Sequence, residues 1–138
     1  MLRVARVAGV LAGALLTLSA CGGDDDPGAP PGALPECTGA VALSVSAGTT
    51  PTFSWTPACR LSYLDVTTAD GEQEIWAIGN PDDRNTIAPG VRYGTVPAGA
   101  SRIDGPVPLV AGTEYFVFVA FVGGSGGDEL AGGTMFTP

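Results

Sequence analysis

Tyr115-Phe116-Val117-Phe118-Val119-Ala120-Phe121-Val122 is the longest apolar run outside the N-terminal region, and its reading decides the fold. Eight residues is the length of a strand and short for a buried helix, and glycines punctuate both sides: Gly112 before it, Gly123-Gly124-Ser125-Gly126-Gly127 after it. With a period of two, Tyr115, Val117, Val119 and Phe121 share one face, and Phe116, Phe118, Ala120 and Val122 share the other. A half-buried strand alternates apolar with polar residues, whereas here both faces are apolar. Two readings follow. Either long loops cover the second face, or that face is a docking surface for a partner. In the second case Phe116 and Phe118 lead the surface, and Trp76 or Ile75 on a neighbouring strand extends it.

Outward from this strand the same grammar repeats. Val41, Leu43 and Val45 alternate in one run, and Phe53 and Trp55 in a second that Pro57 stops. A third covers Leu61 to Thr68. Asp70-Gly71 then supplies a hairpin turn, and Glu74 to Ile78 returns as the partner strand. Val91 and Tyr93 lie in a short run between Pro89 and Pro97, and Thr134 to Thr137 forms the last. No segment sustains a period of 3.6. About seven strands in about 100 residues, separated by Gly- and Pro-rich turns, predict an all-β fold: a single antiparallel β-sandwich. Residues 79–90 and 94–106 are expected to be long irregular loops.

Three local patterns resemble fibronectin type III domains, across residues 37–138. Phe53-Ser54-Trp55-Thr56-Pro57 is similar to that family's second strand, with an inward tryptophan before a proline-bearing loop. Leu109 to Tyr115, followed by Val117 and Val119, resembles its tyrosine corner, and Met135-Phe136-Thr137-Pro138 its last strand. The resemblance implies structural roles for Trp55 and Tyr115, the first as a core ring, the second as a ring whose hydroxyl closes a turn. An immunoglobulin-like sandwich of different topology fits the same patterns.

At the other end, Arg3 and Arg6 precede an apolar run from Val7 to Leu16 that is too short to span a bilayer. Leu18-Ser19-Ala20-Cys21 follows and resembles the lipobox of bacterial lipoproteins. That resemblance implies a signal peptide over residues 1–20, lipid attached to the Cys21 sulfur, and acyl chains that anchor the exported chain to a membrane. Residues 21–36 hold little that can be buried and read as a flexible Gly/Pro/Asp tether, about 20 Å in mean span.

Of three cysteines, Cys21 is then the lipid site, which leaves Cys37 and Cys59 to form a disulfide in an oxidising compartment. No histidine and no lysine occur, so the usual general bases, Schiff-base amines and metal-binding imidazoles are missing. Without residues 1–20, four basic residues face fourteen acidic ones, a formal balance of −10. Such a charge repels phosphates and argues against nucleic acid as a partner. Carboxylates are the remaining chemistry: Asp65, Asp70, Glu72 and Glu74 about the hairpin, and Asp82-Asp83 after it, with Asn80 near them.

These observations predict a non-enzymatic, lipid-anchored binding or adhesion module at the outer membrane or cell surface, with no cofactor and no metal. Its partner is an unidentified envelope protein or glycan. The alternative is a structural accessory subunit of an envelope assembly, docked through Phe116 and Phe118. More remote is an envelope hydrolase that uses paired carboxylates.

Overall fold

Eight strands form in chain order: β1 (Ala42–Val45), β2 (Thr52–Thr56), β3 (Tyr63–Thr68), β4 (Glu74–Gly79), β5 (Val91–Arg92), β6 (Ser101–Asp104), β7 (Tyr115–Val122) and β8 (Asp128–Phe136). The computed structural model describes residues 33–138. The lipobox, with Cys21, and most of the expected tether lie outside the described residues. All pairings between these strands are antiparallel, in two sheets ordered β1-β2-β5 and β6-β4-β3-β7-β8. The expected all-β sandwich is thus observed.

The core lies between the sheets. Phe53 and Trp55 from β2 meet Leu64 and Val66 from β3, Trp76 and Ile78 from β4, and Val117 and Val119 from β7. Most of these side chains are fully buried, and each large one contributes about 2 to 3 kcal/mol of burial. Trp55 is 3% exposed, and its indole N–H donates to the Cys59 carbonyl at 2.8 Å, so its one polar atom is satisfied. The Tyr115 ring packs 5.8 Å from Phe136, while its hydroxyl accepts the Val110 N–H at 3.1 Å. One residue thereby ties the turn before β7 to the core.

Cys37 and Cys59 form a disulfide at a Cα–Cα distance of 5.0 Å. Contacts begin just ahead of it, inside the stretch expected to be tether. Arg60 N–H donates to the Pro35 carbonyl, Cys37 N–H donates to the Arg60 carbonyl, and Glu36 pairs with Arg60 at 3.6 Å. Pro35 and Glu36 therefore belong to the domain.

Three other expectations change. The segment 94–106 is not wholly irregular, because Ser101–Asp104 pairs with β4 as an added edge strand. The final strand begins at Asp128, six residues before the expected start, and pairs with β7 across a turn at Gly123–Gly127. Trp76 is 0% exposed, stacked 6.2 Å from Phe53 and edge-on 5.0 Å from Tyr93, so it cannot extend an outer docking surface. Ile75 is buried too. The β3–β4 register shifts between Val66 and Thr67, and such an irregularity breaks strict alternation and turns both residues inward.

Candidate functional site

The outer face of the five-stranded sheet follows from register. Leu64, Val66, Val117 and Val119 point into the core, so their neighbours Tyr63, Asp65, Thr67, Phe116, Phe118 and Ala120 point outward. Cross-strand pairing then sets Phe118 beside Asp65, Asp65 beside Ala77, and Ala77 beside Asp104. Phe116 stands beside Thr67, which in turn faces Glu74. The acidic groups of β3, β4 and β6 thus lie next to the aromatic groups of β7.

Three rings form a row: Tyr63 lies 5.8 Å from Phe118, and Phe118 lies 6.3 Å from Phe116 in a stacked arrangement. Two glycines make room for it. A Cβ at Gly133 would stand 2.6 Å from Phe116 Cζ, and one at Gly79 would stand 3.1 Å from Tyr63 Cδ2 and 2.9 Å from Ile103 Cδ1. Phe116 therefore lies flat across β8, and Ile103 and Tyr63 close over β4, an arrangement in which aromatic side chains cover bare glycine backbone. The rings remain half-buried. Around them Ile103, Leu130 and Met135 are 57%, 72% and 42% exposed.

Neither expected loop covers these rings completely. Segment 79–90 instead sends Ile87 into the core through a bridge to Leu61, and segment 94–106 supplies β6 at the sheet edge.

Within this face sits a polar cluster. The Tyr63 hydroxyl lies 3.3 Å from Asp65 Oδ2 and 3.5 Å from Glu74 Oε2, within reach of donating to either. Asp65 is only 4% exposed, and its Oδ1 is buried with no hydrogen-bond partner. Burial, foremost, and then the charge of Glu74 push the Asp65 carboxyl up to about 6, with Asp104 adding to the effect and the Tyr63 hydroxyl partly opposing it. The Tyr63 phenol is raised as well, by burial first and then by the negative charge of Asp65 and Glu74. No arginine approaches the cluster within 4 Å among the described residues, where Arg60–Glu36 is the ion pair.

The carboxylates that the sequence grouped about the hairpin fall into two sets. Asp65 and Glu74 converge on Tyr63. Asp70 and Glu72 remain in the exposed turn, where Asp70 Oδ1 accepts the Thr68 hydroxyl and the Glu72 N–H. These bonds, led by the one from Thr68, lower the Asp70 carboxyl below its ordinary range. Asp70 is a turn residue. Asn80 serves its own loop, donating from its amide to Thr86 Oγ1 and the Gly99 carbonyl and accepting the Asp82 N–H. No group of three or more His, Cys, Asp or Glu residues among those described has the geometry to hold a metal ion.

Tyr63 and Asp104 were not singled out by sequence. The alternation Tyr63-Leu64-Asp65-Val66-Thr67 did carry a signal for Tyr63, since it places Tyr63 and Asp65 on one face once Leu64 and Val66 are set inward. Three clefts lie elsewhere. One of about 330 Å³ borders the disulfide between Cys37, Phe121 and Glu129, one of about 320 Å³ lies between Thr50, Tyr93 and Leu109, and a third lies between Thr86 and Val91. The first is lined by two carboxylates, Glu36 and Glu129, and the other two by none.

No family model, curated protein or solved structure matches this chain.

Proposed function

We propose that this chain is a lipid-anchored, non-catalytic binding module of a bacterial cell envelope, with one fibronectin type III-like sandwich held on an acidic tether. The lipobox resemblance at Leu18–Cys21 supports the anchor. The Cys37–Cys59 disulfide agrees with export to an oxidising compartment. The inward Trp55 and the Tyr115-to-Val110 bond support the family resemblance. One observation carries the binding role: a row of half-exposed aromatic rings, edged by exposed Leu130, Met135 and Ile103, on a sheet face that solvent-facing polar residues would ordinarily occupy.

Hydrolysis by Asp65 and Glu74 is the weaker reading. The Tyr63 hydroxyl lies against both carboxylates, and the pair lies on an open sheet face rather than in a cleft that would bury a sugar.

Polar substitution of Phe116 and Phe118 tests the role. Both rings lie on the outer face, so the Phe118→Ser chain should keep its fold by circular dichroism and lose attachment to its envelope partner. Retained attachment by a folded variant contradicts the proposal. Stoichiometric, irreversible co-purification would instead favour the accessory-subunit reading of the same face. For the anchor, Cys21→Ser should yield an unlipidated chain that leaves the membrane fraction, and continued membrane fractionation at the mature size would overturn it.

A further inference from the structure

We propose that the cluster of Tyr63, Asp65 and Glu74, beside Phe118, receives an arginine side chain of a partner protein. This rests on the docking face assigned above and names the chemistry of its occupant.

The cluster has the parts such a guest requires. Glu74 and Tyr63 are partly exposed and form its mouth, whereas Asp65 lies beneath them at 4% exposure. A buried carboxylate under an apolar surface projects its field through a medium that screens less than water. Its Oδ1 is shut off from solvent and lacks the donor that a buried carboxylate oxygen ordinarily has, so its charge is left uncompensated, and the partly exposed Glu74 carboxylate is the acceptor that an incoming N–H group meets. The Tyr63 and Phe118 rings, 5.8 Å apart and tilted by 42°, offer π faces next to those oxygens. A guanidinium answers both needs, since it is planar, stacks on aromatic rings and carries five donors in a fork that matches carboxylates.

Charge complementarity points the same way. Asp104 on β6 and Glu74 on β4 flank Asp65, β7 contributes only the neutral Phe116 and Phe118, and Tyr63 is the remaining titratable group on β3. Arg102 on β6 forms no ion pair with any of them. The chain thus keeps an uncompensated negative site on its most apolar outer face. A buried unpaired charge costs stability, and departures of this kind concentrate at functional or strained sites.

The test is calorimetric titration of the full chain, in detergent micelles, with a glycine-spaced arginine peptide and with its isosteric citrulline counterpart. The arginine peptide should bind, and the citrulline peptide should bind at least about tenfold more weakly. Asp65→Asn/Glu74→Gln should weaken arginine-peptide binding about tenfold or more. Asp82→Asn/Asp83→Asn, which removes the same formal charge from the exposed turn after β4, should change it less than about twofold. Affinity should also rise with pH through about 6 as Asp65 ionises, a trend that the Asp65→Asn/Glu74→Gln chain should lack. Equal losses in both double variants, or equal affinity for arginine and citrulline peptides, would overturn the proposal. If Phe118→Ser abolishes partner attachment while Asp65→Asn/Glu74→Gln leaves attachment and peptide binding intact, the arginine assignment fails and the docking face stands. If the folded Phe118→Ser chain also stays attached, both fail.

Discussion

Replacing Asp65 by asparagine should make the protein more stable at neutral pH. The Asp65 carboxyl titrates near 6 in the folded chain against an ordinary value of 3.8. Folded protein therefore holds the proton more tightly than unfolded chain does. The sign follows: the Asp65 contribution to stability is greatest below about pH 3.8, falls as pH rises toward 6, and is level above it. The interval corresponds to about 3 kcal/mol. Asparagine is nearly isosteric, carries no charge, and can still accept from the Tyr63 hydroxyl, which now lies 3.3 Å from Oδ2. Allowing about 1 kcal/mol for less than ideal amide hydrogen bonds leaves a gain of about 2 kcal/mol at pH 7. Urea unfolding of both chains at intervals between pH 3.5 and 8 measures the difference directly. The gap between the two curves should open through the window from about 4 to 6 and stay constant above it. Parallel curves, or an Asp65→Asn chain less stable at pH 7, would refute the claim that Asp65 is a buried carboxylate with no cationic partner. Taking the difference between the two chains cancels the opposing contribution of Asp70, whose lowered carboxyl favours the folded state above its range and loses that effect in acid.

Other outcomes follow from particular contacts. Replacing Cys37 and Cys59 together by alanine should cost about 3 kcal/mol in urea unfolding, since the bridge spans 22 positions and constrains the unfolded chain. Tyr115→Phe keeps the ring and removes only the acceptor of the Val110 N–H, so a loss of about 1 kcal/mol is expected, with hydrogen exchange at Val110 accelerated ahead of the strand amides. Gly133→Val places a side chain where the Phe116 ring lies, and the ring must swing off the sheet. Near-ultraviolet circular dichroism should register that change, with a stability loss of about 1 to 2 kcal/mol.

Strand β7 was legible because both of its faces are apolar. Its inner four residues are buried, and its outer Phe116 and Phe118 form the ring row. Trp55 was legible from alternation with Phe53 and the stop at Pro57, and the disulfide from a count of three thiols. Strand β6 was not. Its four residues are all exposed, with only Ile103 apolar, and an edge strand held by backbone pairing to β4 has no buried face to leave a hydrophobic period. Trp76 was misplaced because a local register shift is set by how β3 and β4 meet, which alternation within one strand does not contain. The Tyr63–Asp65–Glu74 cluster was half legible. The acids were noted as hairpin residues, but separating Asp65 and Glu74 from Asp70 and Glu72 requires the β3–β4 register, and the burial of Asp65 requires Phe118 from a strand more than fifty residues away.

Photocrosslinking within the native envelope tests the docking face most directly. A photoreactive residue placed at Met135, 42% exposed beside Phe116, should give a discrete crosslinked product that disappears in the Phe118→Ser chain. The same group at Ser44, exposed on β1 of the other sheet, should give none. Equal products from Met135 and Ser44, or a Met135 product indifferent to Phe118→Ser, would contradict a docking role for the outer face of the five-stranded sheet.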